Sequence, residues 1–187
     1  LHNFENVKSA TQIFLDHNGL FLGQRRITLS TSGLVPQILK LDDFPPVNIA
    51  ISLHSPDNKV RSELMPINKA YDIERLFAAI KTIPLKAHRY ITFEYLLIDQ
   101  VNDRDEDIEG LCRLLPFKTS KINLIPFNDF PGSKYKKPKA HRVVEFRDAL
   151  LQAGYVCTIR QTKGDDILAA CGQLKSAYEN DLNLWKD

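Results

Sequence analysis

The chain has 187 residues, 43% of them hydrophobic, and 25 Lys and Arg against 23 Asp and Glu, for a formal net charge of +2. That length is enough to bury one core, and 1–187 read as a single domain. A balance so near neutral excludes binding to polyanions through overall charge, and no apolar run reaches the roughly 20 residues that cross a bilayer.

With no signal peptide or low-complexity tract, the expected location is cytoplasmic, with no membrane partner. The three cysteines, Cys112, Cys157 and Cys171, are odd in number and far apart, which fits neither a disulfide framework nor a compact zinc motif. The chain begins at Leu1 and its one methionine is Met65, so it is expected to be part of a longer protein.

Phe4, Val7, Ala10, Phe14 and Leu15 fall at helical spacing and predict a helix over 3–15, stopped by Asn18 and Gly19. A short strand over 26–30 runs into S-T-S-G and a helix over 35–41, and 42–46 form a loop. The run 47–53, V-N-I-A-I-S-L, is apolar enough to predict a strand buried on both faces. A helical turn is expected at 59–64. Asp72 then caps a helix whose apolar face is Ile73, Leu76, Phe77, Ile80 and Ile83. Strands over 90–98 and 121–127 flank a helix over 105–115. A helix over 142–153 ends at Gly154 as its C-cap, a strand covers 155–160, and a further helix is expected from Asp166.

Strands alternate with helices and no hairpin dipeptide joins neighbouring strands, so the sheet is predicted to be parallel with crossover helices. Right-handed crossovers then bring every strand-to-helix loop to one rim. Those loops carry Ser30 to Gly33, Ser52 to His54, Asp99 to Asp103, Asn128 to Gly132, and Thr162 to Cys171. Strand ends are polar whatever their function, so this clustering alone admits a purely structural reading.

Three stretches on this rim carry chemistry. Cys171, in G-D-D-I-L-A-A-C-G-Q-L, lies between Ala170 and Gly172, where no bulky neighbour shields the sulfur. Tight helix packing accounts for the same small residues, so packing and reactivity both stay open on local grounds. The glycine of S-T-S-G suits an anion or carboxylate at a helix start. Finally, K-Y-K-K-P-K-A-H-R holds Lys134, Tyr135, Lys136, Lys137, Lys139 and Arg142. Cations to neutralise phosphates beside an aromatic ring to stack on a base suit single-stranded nucleic acid, and a solvated loop suits them equally.

Together, R-R-I-T-L-S-T-S-G, I-A-I-S-L-H-S-P, P-I-N-K-A-Y, F-E-Y-L-L-I-D, V-N-D, K-I-N-L-I-P-F-N-D-F-P-G and G-D-D-I-L-A-A-C-G-Q-L resemble an ordered set of motifs. They are those of the radical S-adenosylmethionine enzymes that methylate adenine C2 in ribosomal and transfer RNA, and the resemblance covers about 1–174. It implies an α/β fold, a partial (βα) barrel of parallel strands with crossover helices that holds the later strands of the radical S-adenosylmethionine core. The first strands and an N-terminal domain would lie outside this chain.

The resemblance also implies site residues. Ser30, Ser52, Leu53, His54 and Asn128 match positions that bind S-adenosylmethionine, and Cys171 matches the cysteine that accepts a methyl group. A 4Fe-4S cluster is implied with its ligands upstream, so no metal ligand is expected in this chain. The implied partners are 23S ribosomal RNA, transfer RNA and an electron donor for the cluster. Adenine C2 is electron-poor yet has no acidic proton, so a carbon radical suits it where a cation-like methyl donor does not. Sulfur stabilises an adjacent radical and leaves afterwards, which favours cysteine as carrier.

The sequence departs from that pattern in places. The C-x-x-x-C-x-x-C cluster motif, the glycine-glutamate pair and the second cysteine are absent from it. Asp129 stands where the family commonly has proline, and Gln161 and Lys163 stand where more basic residues are usual. The chain by itself is therefore expected to bind no cluster and to be inactive, and an unpaired edge strand near 26–30 is expected to favour self-association. Two other readings share much of the pattern: methylation of adenine at C8, and an RNA-binding accessory domain without catalysis.

Overall fold

The computed structural model describes residues 1–85, 89–130 and 132–160. Runs rich in β-branched and aromatic residues form five strands: β1 (Thr28–Thr31), β2 (Asn48–Ser52), β3 (Ile91–Leu97), β4 (Ser120–Pro126) and β5 (Val156–Ile159). They lie side by side in chain order and every pairing is parallel. Such an order requires a crossover between each pair. Helix α1 (Phe4–Leu15) precedes the sheet, and α2 (Val35–Ile38) follows β1. Helices α3 (Asn58–Leu64) and α4 (Ile73–Ile80) link β2 to β3, α5 (Asp105–Leu114) links β3 to β4, and α6 (Ala140–Gln152) links β4 to β5.

The helices begin where a side chain can satisfy their free amides. Asp57 accepts from the amides of Lys59 and Val60, both at 2.9 Å, to start α3. Asp72 does the same for Arg75 at 2.9 Å, as its sequence position predicts. Gly154 ends α6 with a left-handed φ of 89°, a conformation that an L side chain rarely adopts.

One face of the sheet forms the core. Alternate residues Ile91, Phe93, Tyr95 and Leu97 of β3 are buried, with Ile122 and Leu124 of β4 and Ile49 and Ile51 of β2 beside them. Helices contribute Leu76, Phe77, Leu111, Phe146 and Leu150 to the same cluster. Phe77 stacks on Phe93 with centroids 5.6 Å apart, and Tyr95 meets Phe146 at 5.5 Å. The opposite face stays half-exposed at Thr92, Glu94, Leu96, Lys121 and Asn123.

That face corrects the reading of 47–53. Ile49, Ala50 and Ile51 are buried, but Asn48 and Ser52 are only half-buried. Right-handed crossovers between strands in sequential order place their helices on one side of the sheet, and the other side receives none of that cover. The remaining differences are at element ends. The helix expected over 35–41 closes at Ile38, and a separate 3-10 turn at Leu41–Asp43 follows it. Ile83 is buried although α4 ends at Ile80. The helix expected from Asp166 lies outside the described residues.

Phe146 is fully buried in the core, its ring 5.5 Å from that of Tyr95 on β3. Phe146→Ala is expected to cost about 3–5 kcal/mol of unfolding free energy, read from a urea denaturation midpoint at unchanged slope.

Candidate functional site at the carboxyl rim

Because all five strands are parallel, their carboxyl ends share one rim, and the described loops expected there are all on it. At the end of β1, Ser30 is exposed, and the Thr31 hydroxyl accepts from the Gly33 amide at 3.2 Å. At the end of β2, Ser52 is half-buried and Leu53 is fully buried. The Leu53 amide donates to Glu94 O at 3.0 Å and its carbonyl accepts from Arg61 Nε at 3.1 Å. Leu53 thus faces the core with both backbone polar groups occupied, while Ser52 and His54 on either side face the rim.

His54 adopts φ of 61°, an uncommon conformation for a residue with a side chain. Its Nδ1 accepts from the Leu96 amide at 3.0 Å, so the proton of the neutral ring sits on Nε2. Burial and the nearby Arg61 guanidinium lower its pKa to about 4, which keeps it neutral near pH 7. The side chain of Asn102, from the V-N-D motif in the loop after β3, fixes this turn. It donates to His54 O at 2.7 Å and Leu96 O at 2.6 Å, and accepts from the Ile98 amide at 2.7 Å.

The exposed sheet face brings together polar groups that sequence reading missed. Ser52 is level with Glu94, Glu94 with Asn123, and Asn123 with Thr158 in the strand register. Asn123 Nδ2 donates to Glu94 Oε2 at 2.9 Å, and the Thr158 hydroxyl donates to Asn123 Oδ1 at 3.1 Å. Among the described residues Glu94 has no cationic partner within ion-pair distance. The signal was period-two alternation: Thr92 and Glu94, then Lys121 and Asn123, recur at every second position.

Asn128 is half-buried just beyond β4, where Asp129 Oδ1 accepts from the Lys137 amide. The basic loop is docked across the rim. Lys134 Nζ pairs with Glu63 Oε1 at 2.6 Å, and the Tyr135 hydroxyl donates to the same oxygen at 3.0 Å. These partners raise the Lys134 pKa and lower that of Glu63. The Asp99 amide donates to Lys136 O at 3.1 Å. Arg142 donates to Asp103 O at 2.6 Å and Asp105 Oδ1 at 2.7 Å. The side chains of Lys136, Lys137 and Lys139 are exposed. Lys134, Tyr135 and Arg142 therefore hold the loop in place, and Lys136, Lys137 and Lys139 lie on its exposed side.

Cys171 and the fifth loop, 161 onward, lie outside the described residues. The other thiols are held protonated: burial pushes Cys157 up to about 12 and also raises Cys112. Among the described residues no group of three or more His, Cys, Asp and Glu is arranged to hold a metal ion. A cavity of about 440 Å³, lined by Leu29, Phe44, Ile49, Leu85 and Tyr90 among others, opens at the opposite, amino-terminal end of the first three strands. It is apart from every group described above.

No family model matches the chain. Its sequence is 49% identical over 177 residues to a protein of Francisella tularensis named dual-specificity RNA methyltransferase RlmN, covering 93% of this chain and 48% of the relative. A protein of the same name from Cereibacter sphaeroides is 47% identical over 180 residues, covering 96% and 46%. The chain thus spans about half the length of the curated relatives it matches. A solved radical SAM methyltransferase from Sphaerobacter thermophilus superposes with a TM-score of 0.84 at 42% identity, covering 92% of this chain and 51% of that one. A domain of pyruvate-formate lyase-activating enzyme from Bacteroides vulgatus, 18% identical with a TM-score of 0.56, shares the fold over 84% of this chain and 89% of its own.

The His54 environment predicts a pH dependence. A pKa lowered from 6.5 to about 4 contributes stability that is complete above pH 6.5 and is lost as pH falls through 4. Across that window the wild type is expected to lose about 3 kcal/mol more than His54→Asn, measured by urea denaturation at a series of pH values.

Proposed function

We propose, since this chain belongs to the RlmN family of radical SAM methyltransferases and spans about half its relatives' length, that it is the later part of an enzyme that methylates adenine C2 in 23S ribosomal RNA and transfer RNA. The reading is supported above all by 49% identity carried over 93% of the chain. The chemistry of the rim agrees with it. S-adenosylmethionine carries a carboxylate, an ammonium, a sulfonium and an adenine. Hydroxyls at Ser30 and Ser52 and an N–H donor at His54 suit the carboxylate and adenine, and the Glu94 carboxylate, which among the described residues has no cationic partner, suits the cations.

When bound with a 4Fe-4S cluster held by residues outside this chain, S-adenosylmethionine supplies an electrophilic methyl group and a primary carbon radical. This chain's residues do the rest of the work. Ser30, Ser52 and Asn128 orient the cofactor at the strand ends, and His54 donates from Nε2 as a neutral ring across the physiological range. Leu53 contributes by filling the core beneath them. Cys171 carries the methyl group to adenine, its thiolate being the nucleophile of the first transfer. Lys136, Lys137 and Lys139 meet RNA phosphates on the loop that Lys134, Tyr135 and Arg142 anchor, and Tyr135 offers the loop's aromatic face. The enzyme works in the cytoplasm, with a reductase supplying electrons. In isolation the chain associates through the edge at β1, which among the described residues pairs on one side only.

The test is product analysis. The full-length protein with its cluster reconstituted, given S-adenosylmethionine, reductant and unmodified RNA, is expected to yield 2-methyladenosine on nuclease digestion and mass spectrometry. Cys171→Ala is expected to yield none. Product at C8 contradicts the assigned regiochemistry, and full methylation by Cys171→Ala contradicts the assigned methyl carrier.

A further inference from the structure

Arg61 is the largest fully buried side chain of the described residues, with 0% of its surface exposed. It sits on α3, in a stretch whose polar composition suggests a solvated turn. Instead its guanidinium points under the rim. Nε donates to Leu53 O at 3.1 Å, and Nη2 donates to Ser32 O at 3.1 Å and Ser52 O at 3.2 Å. Nη1 donates to Asn68 Oδ1. Every one of these acceptors is neutral, and among the described residues no carboxylate pairs with it.

A cation buried without a counter-charge loses several kcal/mol of hydration, and an apolar side chain of similar size would fill the space without that loss. Burial lowers the Arg61 pKa to about 10, so the group is still charged near pH 7. What an apolar side chain lacks is the planar fork, which reaches several carbonyls in fixed directions. Here the fork spans the carboxyl ends of two neighbouring strands, Ser32 beyond β1 and Ser52 and Leu53 at β2.

Three further features serve the same contact. Asn68, from P-I-N-K-A-Y, has its amide nitrogen committed to Asn58 O at 3.0 Å, Asn58 Oδ1 at 3.1 Å and Ser62 Oγ at 2.8 Å. Its oxygen is therefore turned to Arg61. Gly33 has φ of 102°, and a Cβ there would come within 3.1 Å of Arg61 Nη2, so a larger residue would crowd the guanidinium. Finally, the charge helps hold His54 neutral.

We infer that Arg61 is a positioning residue for the cofactor site, fixing through the Ser32, Ser52 and Leu53 carbonyls the distance and orientation between the Ser30 to Gly33 loop and the Ser52 to His54 turn. The inference rests on the proposed S-adenosylmethionine site at that rim. Arg61 touches no cofactor itself. It sets the peptide planes from which Ser52 and His54 project, and a small misplacement of such groups has a large effect on binding and rate.

The test uses the full-length protein and S-adenosylmethionine itself, with affinity from equilibrium dialysis and melting temperature measured in parallel. Arg61→Met is expected to weaken binding about tenfold or more. Arg61→Lys, which keeps the charge and loses the fork, is expected to recover only part of that affinity. Leu150→Ala, a core truncation near the amino end of β5 and away from the rim, is expected to lower the melting temperature and leave affinity as in the wild type. Wild-type affinity in Arg61→Met overturns the inference. So does a loss in Arg61→Met that Leu150→Ala reproduces at an equal melting temperature. Wild-type protein that binds no S-adenosylmethionine instead overturns the cofactor reading on which the inference stands.

Discussion

Parallel pairing in chain order is the constraint from which the rest of this structure follows. A strand that can only return through a crossover puts its helix on one face and its carboxyl end on one rim. The helix-covered face becomes the core, so Ile91, Phe93, Tyr95 and Leu97 are buried. The other face is released from packing, and it is there that Glu94, Asn123 and Thr158 form a hydrogen-bonded row level with Ser52. One topological rule thus separates a packed apolar face from a polar one.

The rim itself is held from below. Loops beyond strand ends have free backbone groups and would otherwise be the least ordered part of the fold. Asn102 ties the His54 turn to β3, Arg61 ties it to the loop after β1, and Asn68 fixes Arg61. Apart from the Asn68 to Arg61 bond, which joins two side chains, these are side chain to backbone contacts, most of whose partners are remote in sequence. The positive φ of His54 is uncommon for a residue with a side chain, and it sits inside this set of contacts.

The strands, their order and the rim loops were legible because each depends on local periodicity and on the absence of hairpin turns. The polar row was less so. Val47 to Leu53 is apolar enough to read as buried on both sides, and only the strand register shows Ser52 facing Glu94. Arg61 was illegible for a different reason: three of its four acceptors are backbone carbonyls, which every residue carries, so no partner residue type announces them. Lys134 and Tyr135 were legible as basic and aromatic, yet their shared partner Glu63 lies 71 residues from Lys134, and composition alone could not assign them to anchoring. Cys171 was identified from its motif alone, and it lies outside the described residues.

The central claim is that the carboxyl rim of this sheet is the S-adenosylmethionine site. Hydrogen-deuterium exchange of the full-length protein, with and without S-adenosylmethionine, tests it directly. The account predicts slowed exchange in peptides covering 28–33, 52–54 and 94–102, and unchanged exchange in those covering 41–46 and 83–85 at the opposite end. Protection confined to that opposite end, beside the cavity of about 440 Å³, would contradict it.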